Sequence, residues 1–132
     1  MTDKPPPLPP ELVRQFVIAG HGDLDQVKQM LAEHPTVINA AWDWGGGDYE
    51  TALGGAAHTG QREIARYLLD QGARFDLFAA AMLGELEVVR AVLTAMPEAR
   101  HTPGAHGLSL RFHAERGGEE AQAVVEYLRS LE

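Results

Sequence analysis

The chain of 132 residues contains no cysteine, which excludes disulfide frameworks and thiolate chemistry and leaves nothing that points to secretion. It also lacks a long apolar run. Spanning a bilayer takes about 20 consecutive apolar residues, and the longest stretch, Leu77 to Leu83, suits a buried helix instead. The opening Met1-Thr2-Asp3-Lys4, followed by prolines, has no apolar centre of the kind a signal peptide needs. A single small cytoplasmic domain is the expectation. Positive charge is scarce: 11 Lys and Arg stand against 19 Asp and Glu, for a formal net charge of −8. Because the basic residues are scattered, the surface repels a phosphate backbone, so neither nucleic acid nor a membrane is an expected partner. Catalytic signatures are missing too, with no GxSxG elbow, no Walker-type phosphate loop and no G-x-G-x-x-G after a strand. The acidic pairs Glu119-Glu120 and Glu85 with Glu87 fall at helix starts, where they complement the dipole. No nucleophile and base are singled out, and no enzymatic activity, cofactor or metal is expected.

What is present is repetition. Gly22-Asp23-Leu24 through Met30-Leu31, Gly60-Gln61-Arg62 through Leu68-Leu69, and Gly84-Glu85-Leu86 through Val92-Leu93 are copies of one phrase. With the glycine as origin, Val27, Ala65 and Val89 share a column, as do Leu31, Leu69 and Leu93, and a basic column holds Lys28, Arg66 and Arg90. A fourth, degraded copy follows Gly117-Gly118. One insertion and one deletion reconcile the spacings with a period of about 33 residues. Within each copy the apolar positions form a helical stripe, as Ile64, Ala65, Leu68 and Leu69 do while Arg62, Glu63, Arg66 and Asp70 face water.

The segment Thr51-Ala52-Leu53-Gly54-Gly55-Ala56-Ala57-His58-Thr59-Gly60, continuing to Gly72-Ala73, resembles the ankyrin phrase T-P-L-H-L-A-A-x-x-G, with Gly54 and Gly55 where that family has His and Leu. The resemblance implies an all-α ankyrin repeat solenoid of stacked helix-turn-helix pairs with short finger loops, its repeats at about 11–40, 41–73, 74–99 and 100–132, the outer two acting as polar caps. Residues 1–10, with Pro5, Pro6, Pro7, Pro9 and Pro10, are expected to be a disordered extended tail outside the helices, either a solubilising leader or a Pro-rich ligand. Pro35 and Pro97 share a column one step past a second helix, where they stop it.

The fingers differ. Between the first two repeats, Val37 to Glu50 resembles the family's finger lengthened at Gly45-Gly46-Gly47; the next finger is missing, Gly72 to Asp76 running straight into Leu77; a third runs from Arg100 to Leu108 with a Pro103-Gly104 turn. Trp42, Trp44 and Tyr49 place aromatics on the first finger beside Asp43, the composition of a binding hot spot, with Trp42 the better candidate for exposure. The alternative is that an indole folds back over the helices. Gly54-Gly55 inside a helix costs about 1 kcal/mol per glycine relative to alanine; the column also holds Phe16 and Phe78, so large and small residues alternate, or else the pair floors a ligand pocket. His101, His106 and His113 cluster in sequence, but their spacing matches no compact metal motif, and they are expected to be ordinary surface or capping groups. His21-Gly22-Asp23 is a helix-to-helix turn with Asp23 near the N-cap.

Ankyrin domains resembling this one act mostly as protein-binding modules. The resemblance therefore implies a monomeric, non-enzymatic adaptor that binds a protein of unknown identity through Trp42, Asp43, Trp44, Tyr49, His58, Met82, Leu83 and the Ala105-His106 region. The alternative is a small-ligand binder or weak enzyme using the notch around Gly54-Gly55 and the missing finger.

Overall fold

A computed structural model describes residues 3–132; Met1 and Thr2 of the expected tail lie outside the described residues. Helices α1 (Pro10–Gly20), α2 (Leu24–Glu33), α3 (Ala52–His58), α4 (Arg62–Asp70), α5 (Leu77–Leu83), α6 (Leu86–Ala95), α7 (Leu110–Arg116) and α8 (Gln122–Ser130) form four consecutive pairs. The only strands among the described residues, β1 (Ala41–Asp43) and β2 (Tyr49–Thr51), make an antiparallel hairpin in which Trp42 pairs with Glu50. The first finger is thus a hairpin, while the loop from Pro97 to Gly107 is built from two short 3-10 turns.

Local chemistry sets the helix starts. Asp23, Thr51, Asp76 and Ser109 each accept a hydrogen bond from a backbone N–H in the first turn of α2, α3, α5 and α7, satisfying donors that the helix itself leaves open. Pro10 is the first residue of α1, where its missing N–H removes only an unpaired donor; the prediction that all of residues 1–10 lie outside the helices fails there. Residues 3–9 lie in no helix or strand, but Leu8 is half-buried and packs on the core, so this segment does not hang wholly free.

The odd-numbered helices stack in order, α1 on α3, α3 on α5 and α5 on α7, and the hairpin rests on α1 and α3. Phe16, Val27, Leu68 and Met82 anchor one core region, and Val89, Leu110, Val124 and Leu128 the other. Contact does not stop at neighbours, because α3 also meets α7. A Cβ on Gly60 would come within 2.7 Å of the Arg116 carbonyl oxygen, and the φ of +70° at Gly60 independently favours glycine. The Arg62 guanidinium donates to the Met82 and Leu83 carbonyls at 2.9 and 3.0 Å, closing the C-terminal end of α5. Met82 and Leu83 are buried, at 0% and 3% exposure, so the expectation that they line a binding face is wrong: the stack encloses them. No helix among the described residues is long and apolar enough to cross a membrane.

Candidate functional site

Side chains alternate along β2, so Tyr49 points outward while Glu50 turns inward and is 2% exposed. Taking a carboxylate out of water costs several kcal/mol unless it is compensated. Around Glu50 the compensation comes from one indole and three imidazoles. The Trp44 indole N–H donates to Oε1 at 2.8 Å, and His21 Nε2 lies 3.1 Å from the same oxygen. On the other oxygen, Oε2, His58 Nε2 approaches to 2.9 Å and His106 Nε2 to 3.4 Å. Despite these approaches Oε2 is fully buried with no hydrogen bond of acceptable geometry. One donor atom from each of His21, Glu50, His58 and His106 can be chosen so that all lie within 4.8 Å of one another.

Each imidazole is delivered by a different device. His21 follows the last residue of α1, and its Nδ1–H donates to the Val17 carbonyl at 2.8 Å. A carbonyl only accepts, so Nδ1 carries a proton and Nε2 is the atom presented inward. His58 ends α3. His106 sits in the third finger with φ of 61°, the one non-glycine residue at positive φ among the described residues, at a cost of order 1 kcal/mol. Asp48 holds it there, accepting from the His106 backbone N–H at 2.8 Å and from ring Nδ1 at 2.6 Å. Because the second finger is missing, the third can cross to the hairpin and make these contacts.

Gly55 floors the cluster: a Cβ there would lie 2.5 and 2.7 Å from atoms of the His21 ring. The space at Gly54-Gly55 therefore accommodates an imidazole, not the phenyl rings that the alternation with Phe16 and Phe78 suggests. A Cβ on Gly54 would meet only ordinary contacts at 3.5 Å.

Electrostatics follow from the packing. The hydrogen bond to Glu50 raises the His21 pKa above its usual value against the opposing effect of burial. Burial lowers that of His58. For Glu50 burial pushes upward, but the hydrogen bond and charge of His21, together with the Trp44 indole, outweigh it and hold the carboxyl below its usual range. Asp48 is lowered by the His106 backbone N–H and then by the ring. His21 Nε2 and His58 Nε2 stand 3.1 Å apart, a separation at which two lone pairs repel unless a proton or a cation lies between them.

Of the residues expected to bind a partner, His58 and His106 belong to this cluster. Asp43 fixes the hairpin tip by accepting from Gly45 N and Gly47 N at 2.8 and 3.0 Å. Trp42 is half-buried, whereas Trp44 is 38% and Tyr49 63% exposed, so the exposed indole is Trp44 rather than Trp42. The Trp44 ring also flanks the cluster, 6.3 Å from His21 and 6.2 Å from His106. The sequence trio His101, His106 and His113 does not converge; His101 lies beside Arg100, and His113 is buried against Phe78. Sequence reasoning missed His21, Asp48 and Glu50 as site residues, although the glycine pair in α3 was a trace of the cluster. A scan against protein-family models finds no match to the chain, and a search of curated proteins finds none either.

Proposed function

We propose that this protein is a non-enzymatic binding module of the ankyrin type whose fingers are pinned to the helical stack by one divalent transition-metal ion, held by His21, Glu50, His58 and His106. The observation that carries the proposal is the convergence of their donor atoms. In a tetrahedron with bonds of about 2.0–2.2 Å, neighbouring donors stand roughly 3.3–3.6 Å apart. His21 Nε2 stands 3.1 Å from His58 Nε2, and His58 and His106 Nε2 stand 2.9 and 3.4 Å from Glu50 Oε2; with all four donors within 4.8 Å of one another, metal binding requires side-chain shifts of about 1 Å. The orphaned Glu50 Oε2 gains a partner in the ion. Val17 and Asp48 orient two rings, and the Trp44 indole orients the carboxylate, the kind of outer support that ligating groups carry. Three imidazoles and a carboxylate suit zinc and its neighbours in the first transition row.

Four protein donors complete a tetrahedral sphere, as in structural sites, and this supports binding rather than catalysis. The ion would join α1, β2, α3 and the third finger, fixing Trp44 and Tyr49 for a protein partner of unknown identity. The repeated helix pairs and the order of their stacking support the ankyrin reading; a monomer in the cytoplasm remains part of the proposal. Calorimetric titration of chelator-stripped protein with Zn²⁺ tests it. One ion per chain is expected, with binding lost in Glu50→Gln and His58→Ala variants. Absence of stoichiometric binding, or binding indifferent to both substitutions, overturns it.

A further inference from the structure

Beside Glu50 lies a cavity of about 390 Å³, bounded by the hairpin, the starts of α3 and α5, the Pro103–Ala105 turn and α7. It occupies the place of the missing finger. We infer that this cavity binds a cation, a guanidinium or alkylammonium on a short aliphatic stem. The inference rests on the binding-module reading for the source of that cation and is independent of the metal.

Charge points one way. The lining includes Asp48, Glu50 and Asp76 and no Lys or Arg, in a chain whose formal net charge is −8. Asp48 and Glu50 are engaged by the imidazoles, but Asp76 is only half used. Its Oδ1 caps α5, accepting from Phe78 N and Ala79 N at 2.7 and 3.1 Å, and the second oxygen has no hydrogen bond among the described residues. His113 supplies an independent acceptor. It is 2% exposed, and its Nδ1–H donates to the Ser109 carbonyl at 2.7 Å, so its Nε2 carries a lone pair. That Nε2 has no hydrogen-bond partner among the described residues, and the ring lines the cavity. An acceptor on the wall of the cavity is open to a donor from a guest.

The apolar wall fits the same guest. The Phe78 ring lies 4.7 Å from that of His113 and offers a π face, which attracts guanidinium and ammonium groups. Gly104 keeps the corner open: a Cβ there would stand 3.2 Å from both the Phe78 and His113 rings. Its φ of −87° suits any residue, so here glycine supplies space rather than backbone freedom. A stem passing Phe78 with its charged head between Asp76 and His113 would use both the apolar wall and the polar corner of the cavity.

The test is an NMR titration of chelator-treated protein, following the Asp76 and Gly104 amides, with n-butylguanidinium, its neutral analogue n-butylurea, and the blocked peptide acetyl-Gly-Arg-Gly-amide. Saturable binding of butylguanidinium is expected, with butylurea at least tenfold weaker. Asp76→Asn keeps the helix cap and removes the charge, and Gly104→Ala fills the corner; each should weaken binding at least tenfold. A peptide that binds more tightly than butylguanidinium identifies a protein's arginine as the source, and the reverse order identifies a free cation. Loss of zinc binding with cation binding retained would sink the metal proposal alone. Absence of saturable binding, equal binding of butylurea, or indifference to both substitutions overturns the cation site.

Discussion

Replacing Gly55 with alanine separates what the helix prefers from what the site requires. In the interior of α3 the substitution favours the helix by about 1 kcal/mol. The new methyl would, however, lie 2.5 Å from His21 Cε1, against the roughly 3.5–4.0 Å of an ordinary carbon contact. The imidazole must retreat by about 1 Å, whereas a metal–ligand distance tolerates about 0.2 Å. His21 closes α1 at the edge of the cluster and can swing toward solvent, so the fold has somewhere to put the ring and the metal site does not. The expected result is a metal-free protein that melts at or above the wild-type temperature and binds zinc at least tenfold more weakly, the low end of the loss seen when supporting groups of a metal site are removed. Competition against a chromophoric chelator reads the affinity, and thermal unfolding in excess chelator reads the stability. Unchanged zinc affinity would refute the reasoning. So would a metal-free variant that unfolds far earlier, because Gly55 would then serve helix packing and not the imidazole.

Two further outcomes follow from the surroundings of the site. Asp48→Asn removes the charge that orients His106 and should weaken zinc binding tenfold to a hundredfold, read by the same competition assay; wild-type affinity would show that the third finger holds His106 without Asp48. His113 is kept neutral mainly by burial, which lowers its pKa from the ordinary value of 6.5. The unfolded chain therefore takes up this proton more readily. The stability contributed by His113 is fully present above pH 6.5 and declines as pH falls through the depressed folded-state value. In thermal melts of metal-free protein, wild type should lose stability relative to His113→Phe as pH drops from about 7.5 to 5.5; a constant difference would contradict this.

The helices were legible because their signals are local. The stripe of Ile64, Ala65, Leu68 and Leu69, the cap at Asp23 and the stops at Pro35 and Pro97 each act within a few residues. The site was not, because its parts meet only after folding. His21 reads as a turn residue, Glu50 as the polar flank of a hairpin and His106 as part of a loop tip, and no sequence spacing joins them. Met82 and Leu83 misled for a related reason. A repeat pattern places them on one helix face, but the close approach of α3 to α7, visible at Gly60 and Arg116, and the Arg62 cap over α5 enclose that face. Gly54-Gly55 did mark the site; the volume it leaves is filled by a side chain from the preceding repeat, whose identity a column of aligned positions does not reveal.

Whether one ion sits among His21, Glu50, His58 and His106 is tested most directly by X-ray absorption at the zinc edge on protein loaded with one equivalent. The account predicts four nitrogen or oxygen neighbours at about 2.0–2.1 Å, with the outer-shell scattering of three imidazoles. A six-coordinate shell of water-like oxygens without imidazole scattering, unchanged by His58→Ala, would contradict it.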